Sequence, residues 1–108
     1  MEMVDLRGKK LGLMVSSRPE AVSFDCACRL ADAALQDGLQ VYLYCMDEGV
    51  RGVADKRVRE LKSRGTQLFA CAYSAQRRDI PIDDSAVFSG LATVSDLMSG
   101  TDKFLSFT

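Results

Sequence analysis

Short runs of strand-forming apolar residues alternate with segments of helical period along this chain. That alternation restricts the fold more than any single motif. Lys10-Leu11-Gly12-Leu13-Met14-Val15 reads as a buried strand, broken by Ser16-Ser17-Arg18-Pro19, with Pro19 suited to the first turn of a helix. Glu20 to Gln36 follows as the strongest helical segment, with Phe24, Ala27, Cys28, Ala31 and Leu35 spaced along one face. Asp37-Gly38 stops it, the glycine fitting a left-handed C-cap. Leu39 to Cys45 is rich in β-formers and reads as a second strand, followed by a polar loop at Met46-Asp47-Glu48-Gly49. A second helix is predicted over Val53 to Ser63, a third strand over Thr66 to Ala72, and one or two helical turns over Tyr73 to Asp79. After a loop at Ile80 to Asp84 come a brief strand at Ala86 to Phe88, a helix from Gly90 to Ser99 with Ser89 as N-cap, and a last strand at Lys103 to Phe107. Strands alternating with helices predict an α/β fold with a mainly parallel sheet of about five strands.

The 108 residues fit one domain spanning 1–108. A domain of this size buries roughly two-thirds of the surface its unfolded chain exposes, so a core forms without metal or disulfides. A net charge of -1 argues against direct nucleic-acid binding, which calls for a basic excess. No stretch reaches the roughly 20 apolar residues needed to cross a bilayer, and the acid-bearing start, Met1 to Lys10, is unlike a signal peptide. The expected compartment is the cytoplasm.

There are four cysteines, Cys26, Cys28, Cys45 and Cys71, and no histidine. Without a CxxC pair or a histidine, no zinc-ligand spacing exists, and neither a metal nor a cofactor is expected. Any cysteine chemistry proceeds without a histidine base. Cys71 stands where an apolar run gives way to a polar segment carrying Arg77 and Arg78. A helix start and nearby positive charge both favour a thiolate, so Cys71 is the candidate nucleophile, with the arginines as anion stabilisers. The alternative is a buried small hydrophobe. Cys45 ends the second strand and is a candidate resolving thiol, if disulfide geometry between the strands permits. Cys26 and Cys28 point about 200° apart on a helix and cannot chelate together. Cys28 falls on the core face. Cys26 shares a second apolar stripe with Val22, Leu30 and Ala33, which predicts a subunit contact.

Three further clusters carry weaker signals. Arg51, Lys56, Arg57, Arg59, Lys62 and Arg64 crowd the second helix, but Asp55 and Glu60 are interleaved, as on a solvated face. Ser16-Ser17-Arg18 precedes a helix but lacks the glycines of a nucleotide loop. Asp83-Asp84 reads as a solvated turn.

The segment FACAYSAQRRDIPI followed by FSGLATVSDLMSGTDKFLSF resembles the DsrE/DsrF/TusD-like proteins. In that family a strand ends in a cysteine, two basic residues follow at the sixth and seventh positions, and a G-L-x-x-L/V helix leads into the last strand. The N-terminal half is similar in its strand, alanine-rich helix, Asp-Gly stop and acidic, glycine-containing loop. The resemblance implies a three-layer α/β/α sandwich in a cytoplasmic trimer or hexamer of like or related subunits. It implies a sulfurtransferase-like carrier that takes sulfane sulfur as a persulfide on Cys71 and passes it to a partner protein, in tRNA thiolation or sulfur metabolism. Asp79 stands where the family often has glycine and places negative charge near the thiol. The other readings are a non-catalytic subunit or interaction module of the same fold, a thiol redox protein using Cys71 with Cys45, and, more distantly, an anion or nucleotide binder.

Overall fold

The first and last strands occupy the residues predicted for them, β1 at Lys10–Val15 and β5 at Lys103–Phe107. They come from a computed structural model that describes residues 5–108; the start of the chain, Met1 to Val4, lies outside the described residues. Between them run α1 (Val22–Gln36), β2 (Gln40–Cys45), a 3-10 helix (Asp47–Ala54), α2 (Lys56–Ser63), β3 (Gln67–Cys71), α3 (Ala72–Arg77), β4 (Val87–Ser89) and α4 (Leu91–Gly100). The five strands form one sheet in the order β4-β3-β2-β1-β5, and every pairing is parallel.

Given this order, the placement of the helices follows from connection handedness. Parallel crossovers are almost always right-handed. The steps β1 to β2 to β3 move one way across the sheet and put α1 and α2 on one face. The return from β4 at one edge to β5 at the other carries α4 across the opposite face. The result is helices on both sides of a buried parallel sheet.

Strand alternation assigns the side chains. Toward α1 and α2 point Leu11, Leu13 and Val15, beside their register partners Val41, Leu43 and Cys45, with Leu68 and Ala70 next in line. All of these are buried, as are Phe24, Ala27, Cys28, Ala31 and Ala34 of α1 and Val58 and Leu61 of α2. This is the main core. The face crossed by α4 carries Gly12, Met14, Tyr42, Tyr44, Phe69 and Cys71. Its cover is thinner: Tyr44 is fully buried, while Met14, Tyr42 and Phe69 are half-buried.

Several sequence expectations shift. Helix α1 starts at Val22 rather than Glu20, because Ala21 is extended and Pro19 sits in a turn closed by the Ala21 N–H on the Arg18 carbonyl at 3.0 Å. The loop expected at Met46–Gly49 winds into the 3-10 helix. There Gly49 passes so close to the end of β1 that a Cβ would lie 2.3 Å from the Val15 carbonyl oxygen. Helix α2 starts at Lys56, not Val53, since the extended Asp55 interrupts the winding and caps α2 by accepting from the Arg57 N–H at 2.9 Å. Ser89 is not an N-cap. It is the last residue of β4, and Gly90 takes the cap position with no side-chain bond.

The stripe on α1 splits. Val22, Cys26 and Ala33 are exposed, whereas Leu30 packs against the core. The basic residues around α2 are largely engaged at the surface. Arg57 bonds Asp55, Asp25 and the Pro19 carbonyl and lies 5.0 Å over the Phe24 ring; Arg64 pairs with Asp32 and Arg51 with Glu48. Among the described residues, no helix is long and apolar enough to cross a membrane.

Candidate functional site

Strand β3 ends at Cys71, and the chain turns at once into α3, so Cys71 is both the last strand residue and the N-cap of a helix. Capping requires an acceptor aimed at the free N–H groups of the first turn. Here the acceptor is sulfur: the Ser74 N–H donates to Cys71 Sγ at 3.5 Å. The geometry favours negative charge on that sulfur, because each donor that serves a thiol serves a thiolate better.

Two hydroxyls reinforce the arrangement. Ser74 is buried, and its Oγ accepts the Asp47 N–H at 3.0 Å. With that lone pair occupied, the hydroxyl proton is free for the Cys71 sulfur. Tyr44 is the register partner of Phe69, two residues before Cys71, and so lies on the same sheet face. Its single hydroxyl proton is shared between the carbonyls of Ser89 and Gly90, at 3.3 and 3.2 Å, and the neighbouring Cys71 sulfur. Burial holds the Tyr44 phenol at about 12, so it remains a donor.

Cys71 is only 6% exposed. Burial pushes its thiol up, but the Ser74 side chain, the Ser74 and Tyr73 N–H groups and the Tyr44 hydroxyl together outweigh that effect and bring the thiol below its ordinary value. Cys28 and Cys45 provide the contrast within the same domain. Burial without comparable donors drives their thiols up to about 11 and about 12.

The arginines following Cys71 are occupied elsewhere. Arg78 pairs with Glu48 and donates to the Ser74 carbonyl at 3.2 Å, tying α3 to the 3-10 helix. Arg77 bonds the Tyr73 hydroxyl at 2.9 Å and lies 5.6 Å over its ring. The hydrogen bonds of both arginines go to these partners and not to the Cys71 sulfur. Asp79 has φ 55, a left-handed backbone that glycine adopts without strain.

The sheet separates Cys45 from Cys71. Cys45 is the register partner of Ala70, so its side chain projects with Ala70 into the main core, and Cys71 projects from the other face. Cys45 is 0% exposed. All four cysteines are free thiols, with Cys26 exposed and Cys28 in the core. Ser17 accepts a hydrogen bond from Ser23, and Asp83 accepts the Ser85 N–H within its own turn. Among the described residues no cluster of histidine, cysteine and acidic side chains is arranged to hold a metal.

Tyr44, Ser74 and Ser89 are not among the candidate site residues read from the sequence. Ser74 had one available signal, the Cys-x-x-Ser spacing that matches a helix cap. Tyr44 and Ser89 gain their meaning only from strand register.

Three likenesses to known proteins accompany this geometry. The solved structure of the YchN protein from E. coli superposes with a TM-score of 0.76 at 17% identity, covering 93% of this chain and 99% of that one, which is a likeness of fold. A 45-residue stretch is 40% identical to the DNA polymerase III subunit chi of Pseudomonas aeruginosa. That stretch is 42% of this chain and 32% of that relative, so the match spans about a third of the relative's length. The model of the DsrE/DsrF-like family matches residues 9–107, from the start of β1 to the end of β5. The chain, with its parallel five-stranded sheet and its strand-end cysteine, belongs to the DsrE/DsrF-like family.

Proposed function

We propose that this protein is a cytoplasmic sulfur carrier that loads sulfane sulfur on Cys71 and yields it to a partner thiol. Family membership suggests sulfur relay in general. The observation that supports the specific reading is the set of donors converging on one strand-end thiol, enough to favour its thiolate despite burial. The Cys71 thiolate attacks the outer sulfur of a donor persulfide. A bond forms between the two sulfurs, the donor's S–S bond breaks, and the donor leaves as a thiolate. Delivery repeats the step with the acceptor thiolate as nucleophile and Cys71 as leaving group. Oxidation level is conserved throughout, so no cofactor is required.

The test is intact-protein mass spectrometry after incubation with a persulfide donor. The wild type gains about 32 Da, one sulfur, and Cys71→Ser loses that gain. Equal gain in both proteins overturns the assignment. A second reading, a non-catalytic subunit of a related assembly, is favoured by the low exposure of Cys71. It requires a folded wild type that takes up no sulfur.

Assembly with further copies or related subunits belongs to the same proposal. Leu6, Val22, Tyr73, Ile82, Val87, Leu91 and Met98 are large apolar side chains left exposed, and all but Leu6 and Val22 follow Cys71 in the chain. Light scattering at micromolar concentration reports a trimer or larger; a monomer overturns this part.

A further inference from the structure

Two buried side-chain oxygens of the described residues have no hydrogen-bond partner, Thr66 Oγ1 and Ser89 Oγ. An orphaned buried hydroxyl costs free energy, and a fold that retains one at a reactive centre calls for an explanation. Ser89 stands at such a centre. It is the register partner of Cys71 across β3 and β4, so the two side chains leave the same face of adjacent strands, which run about 4.8 Å apart. The Tyr44 hydroxyl, bonded to the Ser89 and Gly90 carbonyls, fixes the end of β4 against the thiol.

The donors to Cys71 divide by position. The Ser74 hydroxyl and the N–H groups of Ser74 and Tyr73 come from the helix that follows Cys71 and serve the cysteine's own sulfur. Ser89 comes from the neighbouring strand, and its buried hydroxyl bonds neither the empty thiol nor any other group, so its proton is unused. We infer that Ser89 is a positioning residue for the loaded state: its hydroxyl donates to the outer, anionic sulfur of the Cys71 persulfide, a partner absent until cargo arrives. This deepens the sulfur-carrier reading and rests on it.

The reaction is an exchange that balances without an added oxidant. Glutathione persulfide and the Cys71 thiol give the Cys71 persulfide and glutathione; one S–S bond breaks, one forms, and the proton on the attacking thiol passes to the departing glutathione. A hydrogen bond made only to the product anion shifts this equilibrium toward loading. Hydrogen bonds to charged groups correspond to a shift of roughly tenfold to a hundredfold.

The test measures that equilibrium by intact mass against a series of glutathione persulfide to glutathione ratios, in a Cys26→Ser background that removes the exposed thiol. Ser89→Ala loads roughly tenfold to a hundredfold less well, and Ser89→Thr, which keeps the hydroxyl, restores loading. Iodoacetamide reactivity of the empty Cys71 changes far less than loading does, and the melting temperature of empty Ser89→Ala stays level or rises, because an orphaned polar group has gone. Equal loading by wild type and Ser89→Ala overturns the role of Ser89 and leaves the carrier intact. A loss that Ser89→Thr fails to rescue overturns it as well. Failure of the wild type itself to load overturns the carrier reading, and this role with it.

Discussion

Replacing Ser74 by alanine isolates the cause assigned to the reactivity of Cys71. The Ser74 hydroxyl is the strongest of the groups that lower this thiol, and alanine removes it while leaving the Ser74 N–H in place at 3.5 Å from the sulfur. A hydrogen bond to a charged group is worth about 1.5–3 kcal/mol, and each 1.36 kcal/mol is a factor of ten in the thiolate population. At a pH below the thiol's titration, Ser74→Ala therefore lowers the alkylation rate of Cys71 by roughly tenfold to a hundredfold. The lower end is favoured because the backbone donors remain. The assay follows iodoacetamide incorporation from pH 5 to 10 in a Cys26→Ser background, and the variant's rate profile moves to higher pH. A second effect is calculable. The Asp47 N–H loses its acceptor at 3.0 Å, at a cost of about 1–3 kcal/mol, so a urea melt must first confirm that the variant is folded. A folded variant with an unmoved pH profile would refute the hydrogen-bond account and return the arginines to consideration.

Two further outcomes follow from the same structure. Asp79→Gly relieves a left-handed residue at φ 55 and stabilises the fold by about 0.5–1 kcal/mol after glycine's extra unfolded-state entropy, read as a higher urea midpoint; a lowered midpoint refutes the strain argument. Cys45, pushed up to about 12 by burial, binds its proton more tightly folded than unfolded, so its stabilising contribution is intact below the ordinary thiol range near 9 and is lost as pH rises toward 12. Urea melts between pH 8 and 11 show a falling alkaline limb that Cys45→Ala flattens, and an unchanged slope in the variant sinks this assignment.

The parts of the fold written in local pattern were legible in the sequence. β1 and β5 match residue for residue, and Cys71 emerges at a strand-to-helix junction from the change in polarity alone. Boundaries failed where one residue's backbone decides the outcome, as at Asp55, which ends one helix type and caps the next. The site was half legible. Arg77 and Arg78 are close to Cys71 along the chain but engage Tyr73 and Glu48. Tyr44 and Ser89, 27 and 18 positions away, reach Cys71 through the register of β2, β3 and β4. No periodicity within one segment encodes a register between three. Cys45 illustrates the same point. It ends a strand next to that of Cys71, yet an offset of one residue places it on the opposite side of the sheet.

The unequal cover of the sheet divides the molecule's tasks. Two helices seal the face that holds Leu13, Leu43 and Cys45, so substitutions there register as changes in folding. A single helix crosses the other face, where Cys71, Tyr44 and Ser89 meet at the strand ends. The main core and the surroundings of the Cys71 sulfur therefore lie on opposite sides of the sheet, and each is held by its own set of contacts.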